Sequence, residues 1–185
     1  MRNVIRQWCF GLLVGMALAV AGCATGAGSA PGHASGGIPP AGGKGGFAPS
    51  FIVSGAVGKP STFDLAALKA LPSIQQITSS GVYTGVSLWM LLESAAGGIQ
   101  PGSGRNPLIA MYAVATGSDG YRTVLSVGEI DSALSGKMVL VAYSVDGKPL
   151  DRNGMARLVV TSDAKATRSV SNLASIEVFA LPPAR

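Results

Sequence analysis

With 185 residues, 14 basic and 9 acidic side chains and a formal charge of +5, the chain suits one domain plus a tail. It shows no Lys/Arg cluster and no basic stripe interleaved with aromatics, which leaves a nucleic-acid partner without support. His33 is the single histidine and lies in low-complexity sequence, and the cysteines are Cys9 and Cys23 alone. This inventory excludes Ser-His-Asp catalysis, histidine-rich metal centres and cysteine-based metal sites in the folded part.

Arg2 and Arg6 precede an apolar run from Phe10 to Ala21, which closes on Val20-Ala21-Gly22-Cys23. Twelve such residues are too few to span roughly 30 Å of hydrocarbon, so the run reads as a signal segment. Its ending resembles a bacterial lipobox, with small residues ahead of a cysteine that becomes acylated and first in the mature chain. An ordinary signal peptide with a chance cysteine is the other reading. The lipobox reading expects a signal peptide at 1–22 and lipidation at Cys23. It also expects a membrane anchor in the bacterial cell envelope facing the periplasm. Ala24 favours the outer membrane in a diderm. Loss of Arg2 and Arg6 lowers the basic count from 14 to 12 against 9 acidic residues, a mild balance of +3.

Cys23 and the Gly/Pro/Ala/Ser-rich stretch through Ala48 form the expected linker, since nine glycines and three prolines between 24 and 48 can bury little. The domain is expected over 49–185. Phe51 to Val57 reads as a strand, Gly58-Lys59-Pro60 as a turn, and Ser61 to Phe63 as a return strand. Asp64 is placed to cap a short helix with Leu65, Leu68 and Leu71 on one face, stopped by Pro72. Gln75 to Ser80 reads as a strand entering a loop. Ser87 to Ala96 has helical composition and ends at Gly97-Gly98. Leu108 to Ala115 and Tyr121 to Leu125 read as facing strands. Ser126 and Glu129 fit a capping box opening a helix toward Leu134. Met138 to Val145 is a strand, Asp146-Gly147 a hairpin turn, and Arg157 to Thr161 and Ile176 to Leu181 are two further strands. Strands outnumber short helices without strict alternation, so the expected class is α+β with a mixed sheet.

Five pieces in this order resemble the oxidoreductase molybdopterin-binding domain, the sulfite-oxidase-like fold. They are Gly55 to Pro60 with Phe63 to Leu68; Tyr83-Thr84-Gly85-Val86 running to Leu92; Ser118-Asp119-Gly120-Tyr121 with Leu125-Ser126 and Glu129-Ile130; Val139 to Tyr143 with Asp146 to Leu150; and Arg157 to Val160 followed by Arg168-Ser169-Val170. In catalytic members a cysteine ahead of the YTGV-like piece ligates molybdenum. This chain has Thr78-Ser79-Ser80-Gly81 there, and a serine hydroxyl is a poor replacement for thiolate on that metal. The resemblance is to compact versions of the fold, some of which act as periplasmic pterin-binding regulators.

The resemblance implies a ligand site, and each of its residues also has a structural reading. Ser79, Ser80 and Gly81 form either the cofactor loop or a plain turn. Tyr83 and Trp89 offer a stacking face, or Trp89 belongs to the core with its leucine neighbours. Asp119, with Tyr121, either accepts paired N–H donors of a pterin or forms an Asp-Gly turn. Lys165 and Arg168 either meet cofactor phosphate or are solvated loop charges. Arg157 is expected to satisfy backbone or a carboxylate, Glu129 to cap, and Asp146 to be a plain turn residue.

The resulting expectation is a pterin or molybdopterin-like ligand held without molybdenum, with signalling to a membrane sensor or envelope protein. The alternative is a molybdopterin-dependent oxidoreductase with a non-cysteine metal ligand.

Overall fold

The computed structural model describes residues 45–182. The expected signal peptide, Cys23 and most of the linker lie outside the described residues. Gly45 to Ala48, assigned above to the linker, lie beside the segment around Ser118, whose hydroxyl donates to the Gly46 carbonyl at 2.7 Å.

β1 (Ser50–Gly55) buries Phe51 and Val53 and turns Ile52 outward, the period-two pattern of a half-covered strand. The Gly58–Pro60 turn returns the chain as β2 (Ser61–Asp64), antiparallel to β1. Phe51 sits opposite Phe63, with the rings stacked at 5.5 Å between centroids. Asp64 then caps α1 (Leu65–Lys69), accepting the Ala67 N–H at 2.8 Å. Leu68 is fully buried and Leu71 packs on the core, but Leu65 is 38% exposed. A helix of little more than one turn cannot aim all three leucines inward.

β3 (Ile74–Thr78) and β4 (Gly81–Ser87) form a tight hairpin through Ser79 and Ser80. The helix expected from Ser87 starts one residue later as α2 (Leu88–Met90) and widens over Leu91–Ala95. There the Ala96 N–H reaches the Leu91 carbonyl, five residues back. This wider turn buries Leu88, Leu91, Leu92 and Ala96 together.

The strand expected from Leu108 begins at Met111, because Pro107 opens a 3-10 turn over Pro107–Ala110. Proline's fixed φ suits the first position of such a turn and not a paired strand. β5 (Met111–Gly117) and β6 (Arg122–Ser126) pair antiparallel. Ser126 caps α3 (Val127–Ile130), and Asp131 interrupts the expected longer helix by capping α4 (Ser132–Ser135) afresh.

β7 (Val139–Val145) turns through Asp146 and Gly147, both at positive φ, into β8 (Lys148–Pro149). β9 (Arg157–Val160) pairs with the first half of β7. β10 (Leu173–Ala180) starts three residues before the expected Ile176 and lies parallel to β1 and antiparallel to β5.

The first sheet has the order β2-β1-β10-β5-β6, and the second β3-β4-β7-β8, with β9 also on β7. The class is α+β, as the sequence implied. The main core draws Phe51, Val53 and Ile176 from the first sheet and Val86, Val141 and Leu158 from the second. A smaller cluster of Tyr83, Leu140, Ala142, Leu150 and Val159 covers the other face of the second sheet.

β7 leaves no room for a side chain at Gly85 of β4, beside a bulge between Thr84 and Gly85. A Cβ there would stand 2.5 Å from the Ala142 Cα. Gly85→Ala must therefore force the strands apart, and should destabilise the fold by about 2 kcal/mol or more. Urea unfolding checks this, and an unchanged midpoint would show that the approach is not needed.

Candidate functional site

A small, open cleft of about 40 Å³ lies where the β3–β4 turn meets β9 and the loop after it. Tyr83 and Arg157 line it, with Thr78, Ser79 and Ser80 on one side and Thr161, Asp163 and Ser169 on the other.

The turn is held from within. Thr78 Oγ1 donates to the Gly81 carbonyl and accepts the Ser80 N–H, both at 3.1 Å, while Ser79 and Ser80 stand exposed. Gly81 lies at φ 127°, and a Cβ on it would strike the Asp146 carboxylate. That carboxylate accepts the Val82 N–H at 2.9 Å, and the Asp146 N–H returns to the Val82 carbonyl. Gly81 thus shapes the backbone behind the cleft. Asp146, expected only to turn the chain, also ties two hairpins together.

Tyr83 is buried among the smaller cluster, and Arg157 Nη1 donates to its phenol oxygen at 3.4 Å. The Arg157 guanidinium carbon lies 5.9 Å from the ring centroid. Arg157 Nε is buried without a hydrogen-bond partner, and no carboxylate among the described residues ion-pairs with this arginine. The expectation that Arg157 satisfies backbone or a carboxylate is therefore corrected. Strand alternation sets it on the Val159 face, between the smaller apolar cluster and the polar cleft. An unmet buried donor costs about 1–3 kcal/mol. The sequence carried that signal, because a charge two residues before a buried valine shares its face.

Arg168 is in the opposite condition. Its Nε and Nη2 donate to the two Asp163 oxygens at 2.8 and 2.5 Å, and Nη1 donates to Glu129 Oε1 at 2.7 Å. The Glu129 carboxylate therefore bonds Arg168 and does not complete a reciprocal capping box with Ser126. The paired guanidinium holds the Asp163 carboxyl below the usual carboxylate range, and the two carboxylates push the Arg168 pKa up.

The structure thus brings Ser79, Ser80 and Tyr83 to one cleft and sets Arg168 behind its wall. Lys165 stands exposed in the same loop. Tyr121 reaches the loop from outside, with its hydroxyl donating to the Thr167 carbonyl. Asp119 accepts the Tyr121 N–H at 2.9 Å and closes its own turn. Trp89 packs half-buried against the main core and does not line the cleft. Arg157, Thr161, Asp163 and Ser169 were not among the expected ligand contacts.

Among the described residues, no three His, Cys, Asp or Glu side chains are grouped to hold a metal. The cleft offers neutral hydroxyls, a phenol and one carboxylate already bound to arginine, a donor set that does not fit molybdenum.

No family model and no curated protein matches the chain. Among solved structures it is similar to the sulfane dehydrogenase SoxCD of Paracoccus pantotrophus, with a TM-score of 0.55 and 19% identity. The likeness covers 70% of this chain and 38% of that one. It establishes the fold, an α+β architecture of the sulfite-oxidase-like type.

The Asp163–Arg168 pair sets a pH dependence. A carboxyl with a depressed folded pKa stabilises above its unfolded pKa, and this is lost as pH falls through the folded value. The Arg168 side chain is 35% exposed, which limits the pair to about 1 kcal/mol. Asp163→Asn should therefore destabilise by about that amount near neutral pH, and by less at an acidic pH below the lowered folded value. Parallel denaturant titrations at the two pH values check this; an equal loss at both would assign the effect to packing.

Proposed function

We propose that this chain is a lipid-anchored, periplasm-facing lipoprotein whose folded domain binds a pterin-type heterocycle and performs no molybdenum chemistry. Cys23 carries the anchor in this reading, and the domain reports ligand occupancy to a membrane sensor or envelope protein. The observation that carries the ligand assignment is the buried, partnerless Nε of Arg157 at a cleft bordered by Ser79 and Ser80.

The chemistry follows from the donors present. A pterin offers a carbonyl oxygen beside a ring nitrogen, an acceptor edge that a guanidinium meets with parallel N–H groups. Tyr83 adds an aromatic wall and a phenol that already orients Arg157. The serine and threonine hydroxyls serve either as donors or as acceptors to the ring substituents.

Arg157→Met separates function from folding. Removing a half-buried cation that has one unmet donor and no anionic partner should cost little stability, while pterin affinity falls tenfold or more. Fluorescence titration and thermal unfolding of the same variant check both halves, and unchanged affinity would remove Arg157 from the site. Mass spectrometry of small molecules released from protein purified from its native host tests the wider reading. A released pterin without stoichiometric molybdenum is expected. Tightly held molybdenum would instead establish the oxidoreductase alternative.

A further inference from the structure

The first sheet has one face in the core and one outside it. Val53, Ile176 and Leu125 take the inner face. Alternation turns Tyr112 and Val114 of β5, Phe179 of β10 and Val124 of β6 to the outer face. Tyr112 lies opposite Phe179, with the rings stacked at 5.2 Å between centroids, and Val114 lies opposite Val124. Val124 is 58% exposed. The four form one apolar strip across three adjacent strands, and none of them lines the cleft.

Two charges flank the strip. Glu177 stands beside Val114 on β10, and Arg122 stands beside Thr116 on β6, so β5 runs between them. Two strand spacings across and two residues along separate them by roughly 12 Å, too far for an ion pair within one chain. Among the described residues neither has an ion-pair partner.

We infer that two copies of this chain associate through this face, about a two-fold axis along β5, with Glu177 of each meeting Arg122 of the other. Such an axis exchanges the two sides of β5 and lays β10 of one copy over β6 of the other. The strips then pack on each other as in a two-sheet sandwich. Glu177 arrives about two residues, roughly 7 Å, from Arg122, a gap that the long arginine side chain closes. A self-match is favoured over a bilayer or an uncharged partner, because either of those would bury Glu177 without a cation. The strip is smaller than a standard interface of about 800 Å² per partner, so the dimer is weak, with a Kd of about 10–100 µM.

Sedimentation equilibrium of the full chain in density-matched detergent, from about 1 to about 500 µM, should show monomer and dimer. Arg122→Glu and Glu177→Arg should each weaken association about tenfold or more, and the double variant should restore it to within about threefold. Only two groups that meet across the interface recover in this way. Val124→Ser, at an exposed position, should weaken the dimer and leave the unfolding midpoint unchanged. Thermal unfolding confirms that each variant is folded. A chain that stays monomeric throughout overturns the proposal, whatever else covers the strip. Single variants that dimerise like the parent, or a double variant that stays weak, overturn the pairing and with it the two-fold arrangement.

Discussion

Four consecutive residues of β7, Val139 to Ala142, are fully buried, and the arrangement of the second sheet follows from that. Alternation sends Val139 and Val141 into the main core and Leu140 and Ala142 to the opposite face. A strand buried on both faces cannot leave either one to water, so the sheet needs a second cover. Tyr83, Leu150 and Val159 supply it. Arg157 stands on the same face as Val159 and is drawn toward a predominantly apolar cluster. The cleft is thus a consequence of how the sheet is covered, with the hairpin tip on one side and the loop after β9 on the other.

The two arginines show how little sequence position says about electrostatic role. Arg168 lies in an exposed loop yet is held by two carboxylates, five and 39 residues away in the chain. Arg157 lies in a strand yet meets only a phenol, 74 residues away. A paired surface arginine contributes modestly to stability and cannot readily take another anion. A half-buried one with a single unmet donor costs some stability and gains more from an incoming acceptor. Groups that cost stability without serving the fold are the ones to examine for binding.

What could be read from the sequence was what is decided locally. Asp64 and Ser126 were identified as caps because a cap bonds a backbone N–H within three residues. Asp146-Gly147 was identified because its turn needs two positive φ values. The reading failed where a local pattern had two outcomes. Leu108 to Ala110 looks like the start of a strand, but the proline before it favours a turn. Glu129 suits a capping box by spacing, but a charged partner from a distant loop binds it more strongly than a backbone N–H does. The site was half legible: Ser79, Ser80 and Tyr83 came from the resemblance. Asp163 and Thr161 have no local signature, since only the return of the chain after β9 brings them to the cleft.

The framework and the cleft overlap at Tyr83 and Val159, which belong to the smaller core cluster and also line the cleft. Gly85, the caps at Asp64 and Ser126, and the stacked Phe51–Phe63 pair hold the sheets and helices and touch no cleft atom. The rest of the lining comes mainly from a turn, the first residue of β9 and the loop after that strand, positions more tolerant of change than a buried strand. A shared architecture at 19% identity therefore constrains where a ligand can sit but not what it is. Identity must come from charge and donors. In this chain the cleft presents hydroxyls, a carboxylate paired with one arginine, and a second arginine with an unmet donor.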